Sequence, residues 1–483
     1  MGCSHAARRL VALWLFASVC SSARGDLFYN YTLHPLHLAK GVAYEGSGAA
    51  LRQVLRTLHS GGPITLSAIG GSVTRGHGGP SGSGDRNTGH VGSWSRLVFD
   101  YISRRWPHKD HLYVNGAVPA TGSQHFAVCL KYHVHARSDL VLLEFAVNDG
   151  GSGPSGPEGV VRRIRASATT ATGPAILFVS YHDGWFGAHG EGHGNVWTPR
   201  MFDQPEEVFT AVSQWYDLSS LSMRNALMAD DLRNVSGFSF ADFSSGWNHP
   251  NEVGHRMMAD LVVHLLNRTS AAMERGEVPP DDDQLPPASW LPPPLVEGNT
   301  AEAVEPTCHF GQNLEQLVRH NVGWVYLPDA EKPGLQANTS GCVLDLEVGA
   351  VSRTVVISHL RSWMPDMGGA NVSCVAGCEC DGAQIDARSR VGSNTRVMVQ
   401  HLLMVRQPAP SCTLRLQNVH LEPRDGDTGA LPNGTTFKLM GISVGGVGTG
   451  GGGFLGNEVP MHMDWEMGSH QAGNALQTPR RAR

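Results

Sequence analysis

The sequence of 483 residues predicts an α/β domain with a three-layer, doubly wound parallel sheet, followed by a smaller β-sandwich domain. Between residues 63 and 267, short apolar runs alternate with amphipathic stretches, a pattern typical of parallel strands covered by helices on both faces. Residues 277–298 are rich in proline, which is typical of an interdomain linker. Beyond them, strand-like segments follow one another, which favours a β-sandwich.

Each predicted element has its own local signal in the sequence. In the first domain, apolar runs predict strands over residues 64–69, 112–115, 140–147 and 175–180, with a weaker one near 217–221. Amphipathic patterns predict helices over residues 94–104, 123–135, 159–171, 205–215 and 251–266. In the second domain, strands are predicted over residues 342–348, 354–359, 397–405, 412–419 and 437–444.

The first residues have the order of a secretory signal peptide. Arg8 and Arg9 precede an apolar stretch over residues 10–19, and small residues follow up to Gly25. The chain is therefore predicted to consist of a signal peptide (1–25), an α/β domain (26–276), a linker (277–300), a disulfide-containing β-sandwich (301–446) and a disordered tail (447–483). A secreted, extracellular protein follows from this prediction.

Glycosylation sequons agree with that compartment, and no later segment reaches the ~20 consecutive apolar residues of a membrane span. The possible acceptors are Asn30, Asn234, Asn267, Asn338, Asn371 and Asn433. A net charge of -6 gives no broad cationic surface for nucleic acid, so nucleic acid is not an expected partner. The sequence leaves the oligomeric state open.

Cysteines are concentrated in the last third of the chain. Six of them are expected to form disulfides of undetermined pairing: Cys308, Cys342, Cys374, Cys378, Cys380 and Cys412. A zinc site around Cys378 and Cys380 is the weaker alternative, because the usual two-residue gap between ligands is missing. Cys129 is expected to be a buried thiol in the core.

The turn Gly70-Gly71-Ser72 directly follows a predicted buried strand. Such a turn presents the serine hydroxyl at the carboxyl edge of the sheet, where active sites of open α/β folds lie. A serine nucleophile needs a base, and His249 is the best candidate because it lies just ahead of the last helix, in a loop that returns to the same edge.

An attacked ester carbonyl also needs hydrogen-bond donors for its developing negative charge. The Ser72 backbone N–H, a backbone N–H of the loop over residues 115–123 and the Asn148 side-chain amide are candidates. The alternative for Asn115 and for Asn148-Asp149 is ordinary turn chemistry.

Four blocks of sequence, in order, resemble those of the SGNH/GDSL hydrolase family: Gly-Gly-Ser72-Val-Thr, the segment from Asn115 to Ser123, the strand ending in Asn148-Asp149, and His249-Pro-Asn-Glu-Val-Gly-His. The resemblance covers about residues 60–270. It implies the same three-layer fold, Ser72 as nucleophile, a backbone N–H of the second block and Asn148 as the two oxyanion donors, and His249 as base.

The sequence departs from that family at three places. Gly71 replaces the usual aspartate before the serine. In the second block, counting from Asn115 places Ala120 where the family has its oxyanion glycine, whereas the nearest glycine is Gly122; either backbone N–H could be the donor. The family's acid, three residues before the histidine, is Gly246 here, so either Asp242 or a backbone carbonyl is expected to orient His249.

A glycine-rich segment with His189, Glu191 and His193 invites a metal interpretation, but its flexible spacing favours a substrate-side loop whose Trp185 and Trp197 could stack on a sugar or acyl group. No metal or other cofactor is predicted. The sequence thus predicts a secreted serine esterase acting on an O-acyl group of a polysaccharide or glycoprotein. The alternatives are a catalytically impaired glycan-binding or cell-wall interaction protein and an O-acyltransferase.

Overall fold

A computed structural model of the chain describes residues 29–79, 92–149, 153–169, 173–181, 205–232, 237–245, 249–278, 291–297, 299, 307–329, 331–352, 354–389, 396–422 and 433–445. The predicted signal peptide and tail, most of the predicted linker, the segment with His189 and His193, and positions 234 and 246 lie outside the described residues.

A six-stranded sheet with the order β1-β6-β5-β4-β2-β3 forms the centre of the first domain. Its strands are β1 Val42–Tyr44, β2 Thr65–Gly70, β3 Leu112–Asn115, β4 Leu140–Glu144, β5 Ala175–Ser180 and β6 Ser219–Ser222. Strands β2 to β6 are parallel, whereas β1 pairs antiparallel with β6 at the edge. The predicted doubly wound α/β domain is confirmed, with this antiparallel edge strand added.

Helices cover both faces of the sheet. They are α1 Pro35–Lys40, α2 Ala49–His59, α3 Ser72–Arg75, α4 Trp94–Arg105, α5 Ser123–Cys129, α6 Ser155–Ala166, α7 Pro205–Tyr216, α8 Ala229–Leu232, α9 Phe240–Phe243 and α10 Glu252–Glu274. A short two-stranded ribbon of β7 Ser244–Ser245 and β8 His249–Pro250 precedes α10.

Strand β4 shows how the sequence produces the three layers. Leu140 and Leu142 belong to the core on the side of α2, α4 and α10, whereas Val141 and Leu143 belong to the core on the side of α5, α6 and α7. All four side chains are fully buried. Each contributes about 1.5–3 kcal/mol by burial, which explains the continuous apolar run in the sequence.

The order of the strands places a switch point beside β2. The chain passes from β2 to β3 on one side and then returns to place β4 on the other side of β2. The carboxyl ends of β2 and β4 are therefore adjacent, and the crevice between the loops that follow them is where ligands of open α/β sheets bind.

The predicted boundaries differ from the structure where turn chemistry interrupts a periodic pattern. Strand β4 ends at Glu144 instead of residue 147, because Asn148 N and Asp149 N both donate to Phe145 O in a tight turn. Helix α5 ends at Cys129 and continues as the 3-10 helix Leu130–Tyr132. Helices α1 and α2 and strand β1 were not predicted from the sequence.

The second domain consists of two antiparallel sheets, with the orders β10-β13-β18-β15-β16 and β11-β12-β19-β14-β17, and with β9 paired to β19. The strands are β9 Thr307–Phe310, β10 Val318–Val322, β11 Val325–Leu327, β12 Gly334–Ala337, β13 Val343–Glu347, β14 Thr354–Ser362, β15 Gly369–Ala376, β16 Ala383–Asp386, β17 Arg396–Met404, β18 Thr413–Val419 and β19 Phe437–Val444. Residues of both sheets, such as Leu414 and Ile357, share one core, so the predicted β-sandwich is confirmed.

Two expectations about cysteines are wrong. Cys129 is not a free thiol but forms a disulfide with Cys308, which joins the α/β domain to the first strand of the sandwich. Cys342, expected to be paired, is instead a free cysteine among the residues that the structure describes. The other disulfides among the described residues are Cys374–Cys380 and Cys378–Cys412, so Cys378 and Cys380, the two candidate zinc ligands, are each bonded to another cysteine.

No helix among the residues that the structure describes combines the length and the apolar character that a membrane crossing requires.

The sequon at Asn267 differs from the other described sequons. Asn267 lies within α10, where its Oδ1 accepts a hydrogen bond from the Tyr101 hydroxyl and its Nδ2 donates to the Tyr31 hydroxyl at 2.8 Å. In contrast, Asn30, Asn338, Asn371 and Asn433 are exposed.

Glycosylation should distinguish these sequons. When the chain is expressed through a eukaryotic secretory pathway, we expect Asn267 to be unmodified because its amide is engaged between two tyrosines in a helix, and we expect Asn371 to carry a glycan. Mass spectrometry of glycopeptides measures both occupancies. A glycan on most copies of Asn267 would contradict the expectation.

The Cys129–Cys308 bond should stabilise the fold because it closes a loop between residues 179 positions apart. We expect the double variant Cys129→Ser/Cys308→Ser to lose about 2–4 kcal/mol of unfolding free energy, measured by urea denaturation. Cys342→Ser is the matched control and should change the unfolding free energy little. Equal changes in unfolding free energy for the two variants would show that the disulfide does not stabilise the fold.

Candidate active site

Ser72 follows β2 at the switch point of the sheet. It is the first residue of the short helix α3, and it is 6% exposed. Two glycines precede it because the backbone there has no room for side chains: a Cβ on Gly70 would lie 2.2 Å from Glu144 O, and a Cβ on Gly71 would lie 1.8 Å from Asn148 Oδ1. The local sequence thus permits the turn after β2 to pack directly against the turn after β4.

His249 reaches Ser72 from the ribbon before α10. Its Nε2 lies 2.8 Å from Ser72 Oγ, a hydrogen bond that joins residues 177 positions apart in the sequence. The ribbon is held by the Ser244 hydroxyl, which donates to His249 O at 3.1 Å, and by close packing of Gly78 against His249 Cβ. The structure therefore brings together the predicted nucleophile and the predicted base.

Asn148 lies beside the Gly71-Ser72 peptide. The closeness of its side chain to Gly71 Cα, together with a buried position at 5% exposure, places the carboxamide next to the backbone of the nucleophile turn. Its backbone N–H donates to Phe145 O at 2.8 Å, which fixes the turn after β4. An amide in this position is suited to donate to an oxyanion formed on a substrate at Ser72.

The loop between β3 and α5 contains both candidates for the second-block donor. Asn115 Nδ2 donates to Thr74 O at 2.8 Å and so ties the start of this loop to α3. Ala120 has the left-handed backbone conformation, with φ of 50°. Gly122 packs against Asp149, since a Cβ there would lie 2.4 Å from Asp149 Oδ1.

Asp149 fixes the end of this loop. Its Oδ1 accepts a hydrogen bond from Ser123 N at 2.8 Å, at the beginning of α5. Burial raises the pKa of Asp149 to about 7, and hydrogen bonds from Ser123 oppose that rise. The loop over residues 115–123 is therefore held at both ends close to the turns after β2 and β4.

Asp242, one of the two groups expected to orient His249, forms its hydrogen bonds elsewhere. Its Oδ2 accepts hydrogen bonds from Ser239 N at 2.7 Å and Ser239 Oγ at 2.9 Å, and it caps the exposed helix α9. These hydrogen bonds lower the pKa of Asp242. A capping carboxylate is occupied by its own helix, so the structure gives it no part in orienting the imidazole.

Burial determines the protonation states of His249 and Glu144 beside the Ser72 turn. Burial lowers the pKa of His249 to about 4; the charge of His77 also lowers it, whereas Glu331 raises it. His249 is thus neutral near pH 7 and able to accept a proton. Burial raises the pKa of Glu144 to about 8, so this carboxyl at the end of β4 is largely protonated at the same pH.

The second domain also contacts the site. Glu331 Oε1 lies 2.8 Å from His77 Nε2, and the His77 ring is 5.5 Å from the His249 ring. Met398 N donates to Ala120 O at 3.3 Å, and the buried Lys332 ammonium donates to Pro119 O. The loop with the second-block candidate donors and the segment that follows Ser72 are therefore in contact with the β-sandwich.

Sequence reasoning missed His77 and Glu331. His77 lies five positions after Ser72, and its backbone N–H donates to Ser72 O at 3.0 Å, so its nearness to the nucleophile turn was a usable signal. Glu331 had no such signal, because it approaches His77 only through the packing of two domains.

Fold and site together define a two-domain protein, α/β followed by β-sandwich, with a hydrogen-bonded serine and histidine at the switch point of its sheet. Among solved structures, the chain is similar to "a two-domain esterase (CEX) active on acetylated mannans", with a TM-score of 0.62 and 18% identity over 84% of this chain and 98% of that one. A structure of the same description co-crystallized with mannopentaose gives a TM-score of 0.60 at 18% identity, over 86% of this chain and 98% of that one.

Other comparisons add less. A catalytic mutant of Axe2, an acetylxylan esterase from Geobacillus stearothermophilus, has 16% identity and a TM-score of 0.31 over 42% of this chain and 94% of its own length. No family model matches the chain, and no curated protein sequence matches it significantly. At such identities the similarity to the two-domain esterase establishes a shared fold.

The pKa of His249 predicts an unusual pH dependence. With Ser72 as the predicted nucleophile and His249 as the predicted base, we expect the rate of labelling by a fluorophosphonate to stay high as the pH falls through 6 and to decline with a midpoint near pH 4, because an imidazole accepts a proton only when it is neutral. Labelling rates measured across this range test the expectation. A midpoint near 6.5, the ordinary histidine value, would contradict it.

Proposed function

We propose that this protein is a serine esterase that hydrolyses a carboxylic ester through an acyl-enzyme. The observation that carries the proposal is the 2.8 Å hydrogen bond between Ser72 Oγ and His249 Nε2 at the switch point of the sheet. A serine hydroxyl with a neutral imidazole within hydrogen-bonding distance is the arrangement that nucleophilic catalysis requires.

In the proposed reaction, His249 Nε2 takes the proton of Ser72 Oγ as the oxygen attacks the ester carbonyl. The resulting oxyanion accepts hydrogen bonds from Ser72 N–H, from the Asn148 side chain and from a backbone N–H at Ala120 or Gly122. His249 then returns the proton to the departing alcohol. A water molecule, deprotonated by His249, then attacks the acyl carbon; the bond to Ser72 Oγ breaks, His249 returns its proton to that oxygen, and the acyl group leaves as a carboxylic acid.

The proposed substrate is an O-acetyl or similar O-acyl ester on a polysaccharide or glycoprotein. The shared two-domain fold supports this choice, since the similar structure is described as an esterase active on acetylated mannans. Membership of the SGNH/GDSL family remains part of the proposal and is supported by the four sequence blocks that surround Ser72 and His249. Secretion and a role outside the cell are proposed on the signal-peptide pattern, and three disulfides agree with an oxidising compartment.

The test uses Ser72→Ala. We expect this variant to lose hydrolysis of p-nitrophenyl acetate and release of acetate from acetylated mannan by about 10⁴-fold or more, because no other group replaces the nucleophile. Its melting temperature should stay within a few degrees of the wild-type value. Ser411→Ala, a serine of the sandwich domain bonded to Glu347, is the matched control.

Three outcomes separate the competing functions. Retained turnover in Ser72→Ala would remove Ser72 from the mechanism. Binding of glycans by a wild-type protein that neither hydrolyses esters nor reacts with a fluorophosphonate would favour a glycan-binding protein. Transfer of the acetyl group to an added sugar in preference to water would make the enzyme an acyltransferase.

A further inference from the structure

Among the residues of the α/β domain that the structure describes, no carboxylate contacts His249 to stabilise its protonated form. When His249 takes the proton of Ser72, a positive charge forms on a ring that is largely buried, and such a charge is costly without a nearby negative group. Position 246, where a triad acid is expected, is glycine. Asp242 caps α9 through its contacts with Ser239.

Two further carboxyl groups lie near the site in the described part of the first domain, and neither takes this role. Glu144 lies below the nucleophile turn, but burial raises its pKa to about 8, so it is mostly uncharged near pH 7. Asp149 is buried with a pKa of about 7 and is bonded to the start of α5. Neither is arranged as an ionised partner of His249.

Glu331 of the sandwich domain is an ionised carboxylate close to His249. Its carboxylate bonds His77 Nε2 at 2.8 Å, and its backbone N–H donates to Asp329 Oδ1 at 3.0 Å, which holds the acidic side chain at the domain boundary. The hydrogen bond from His77 lowers the pKa of Glu331, so it is ionised at neutral pH.

His77 is fixed between Glu331 and His249. Its N–H donates to Ser72 O, and its carbonyl oxygen is 3.1 Å from His255 Nε2 on α10. Its ring lies 5.5 Å from the ring of His249, at an angle of 40°. The three side chains therefore form a row across the domain boundary, with the carboxylate at its outer end.

We propose that Glu331 is a positioning residue of the active site: through His77, the sandwich domain supplies the negative charge that stabilises His249 when it carries the serine proton. This proposal rests on the proposed esterase function. The proton moves only from Ser72 to His249 and then to the departing alcohol; no proton moves to or from Glu331 or His77. The effect is electrostatic and moderate, because the Glu331 side chain is 42% exposed.

Other charged groups near Glu331 and His77 also contribute to the electrostatic potential at this place. Lys332, Asp329 and His77 surround Glu331, and Arg396 and Lys438 lie close to Lys332 and Asp329. Burial lowers the pKa of Lys332 to about 7, so its positive charge near Glu331 is reduced at neutral pH. These groups are unchanged in the variants below.

Two substitutions separate charge from hydrogen bonding. Glu331→Gln keeps an oxygen that can accept from His77 but removes the charge, whereas Glu331→Asp keeps the charge on a shorter side chain. We expect Glu331→Gln to lower kcat for p-nitrophenyl acetate and the rate of fluorophosphonate labelling by about tenfold at pH 7, with KM nearly unchanged. The acidic limb of kcat/KM should move to lower pH, because the pKa of His249 falls when the carboxylate is lost.

Glu331→Asp should retain more activity than Glu331→Gln. The control is Glu379→Gln, which removes an exposed carboxylate from another loop of the sandwich and changes the net charge equally. Melting temperatures of all variants exclude a general loss of folding.

Each outcome has one meaning. Equal rates and equal pH profiles for Glu331→Gln and Glu379→Gln, in a wild-type background that labels and hydrolyses, would overturn this proposal alone. Glu331→Gln more active than Glu331→Asp would also overturn it, because hydrogen bonding and not charge would then matter. A wild-type protein that neither labels nor hydrolyses would overturn this proposal together with the proposed function.

Discussion

The contact between the turn after β2 and the turn after β4 determines most of the candidate site. Gly70 and Gly71 leave no side chain between the two turns, so Asn148 packs against Gly71 Cα and the Glu144 carbonyl lies against Gly70. Any larger residue at either position would separate Ser72 from Asn148. Because β2 and β4 are neighbours only through the reversal of strand order, the sheet topology and this contact depend on each other.

The β-sandwich is in direct contact with the site and is not merely connected by a linker. It bonds Ala120 O through Met398 N, it bonds Pro119 O through the Lys332 ammonium, and it bonds His77 through Glu331. The first two contacts hold the loop that contains the candidate oxyanion donors. The geometry of the serine turn is thus set by the first domain, whereas the surroundings of the loop and of the imidazole depend on both domains.

Sequence patterns located the elements that have a strong local signal. The fully buried strands β2, β4 and β5 gave continuous apolar runs, and the fold class is confirmed. Ser72 and His249 were chosen because they follow or precede such elements, and they lie within hydrogen-bonding distance; their catalytic roles remain predictions. Strand β10 was not found because its side chains are at least partly exposed and show no apolar alternation, and β16 was not found because it has only four residues. The pairing of Cys129 with Cys308 and the approach of Glu331 to His77 depend on the packing of distant segments, for which one sequence holds no local signal.

The disulfide between Cys129 and Cys308 also changes what a break in the chain would do. It spans the whole stretch from α5 through the linker to the first strand of the sandwich. A protease that cuts within that stretch produces two fragments that stay covalently attached, so the sandwich would remain beside the serine turn after cleavage. A protein built in this way tolerates nicking between these two cysteines, as long as the sulfur bridge is not reduced.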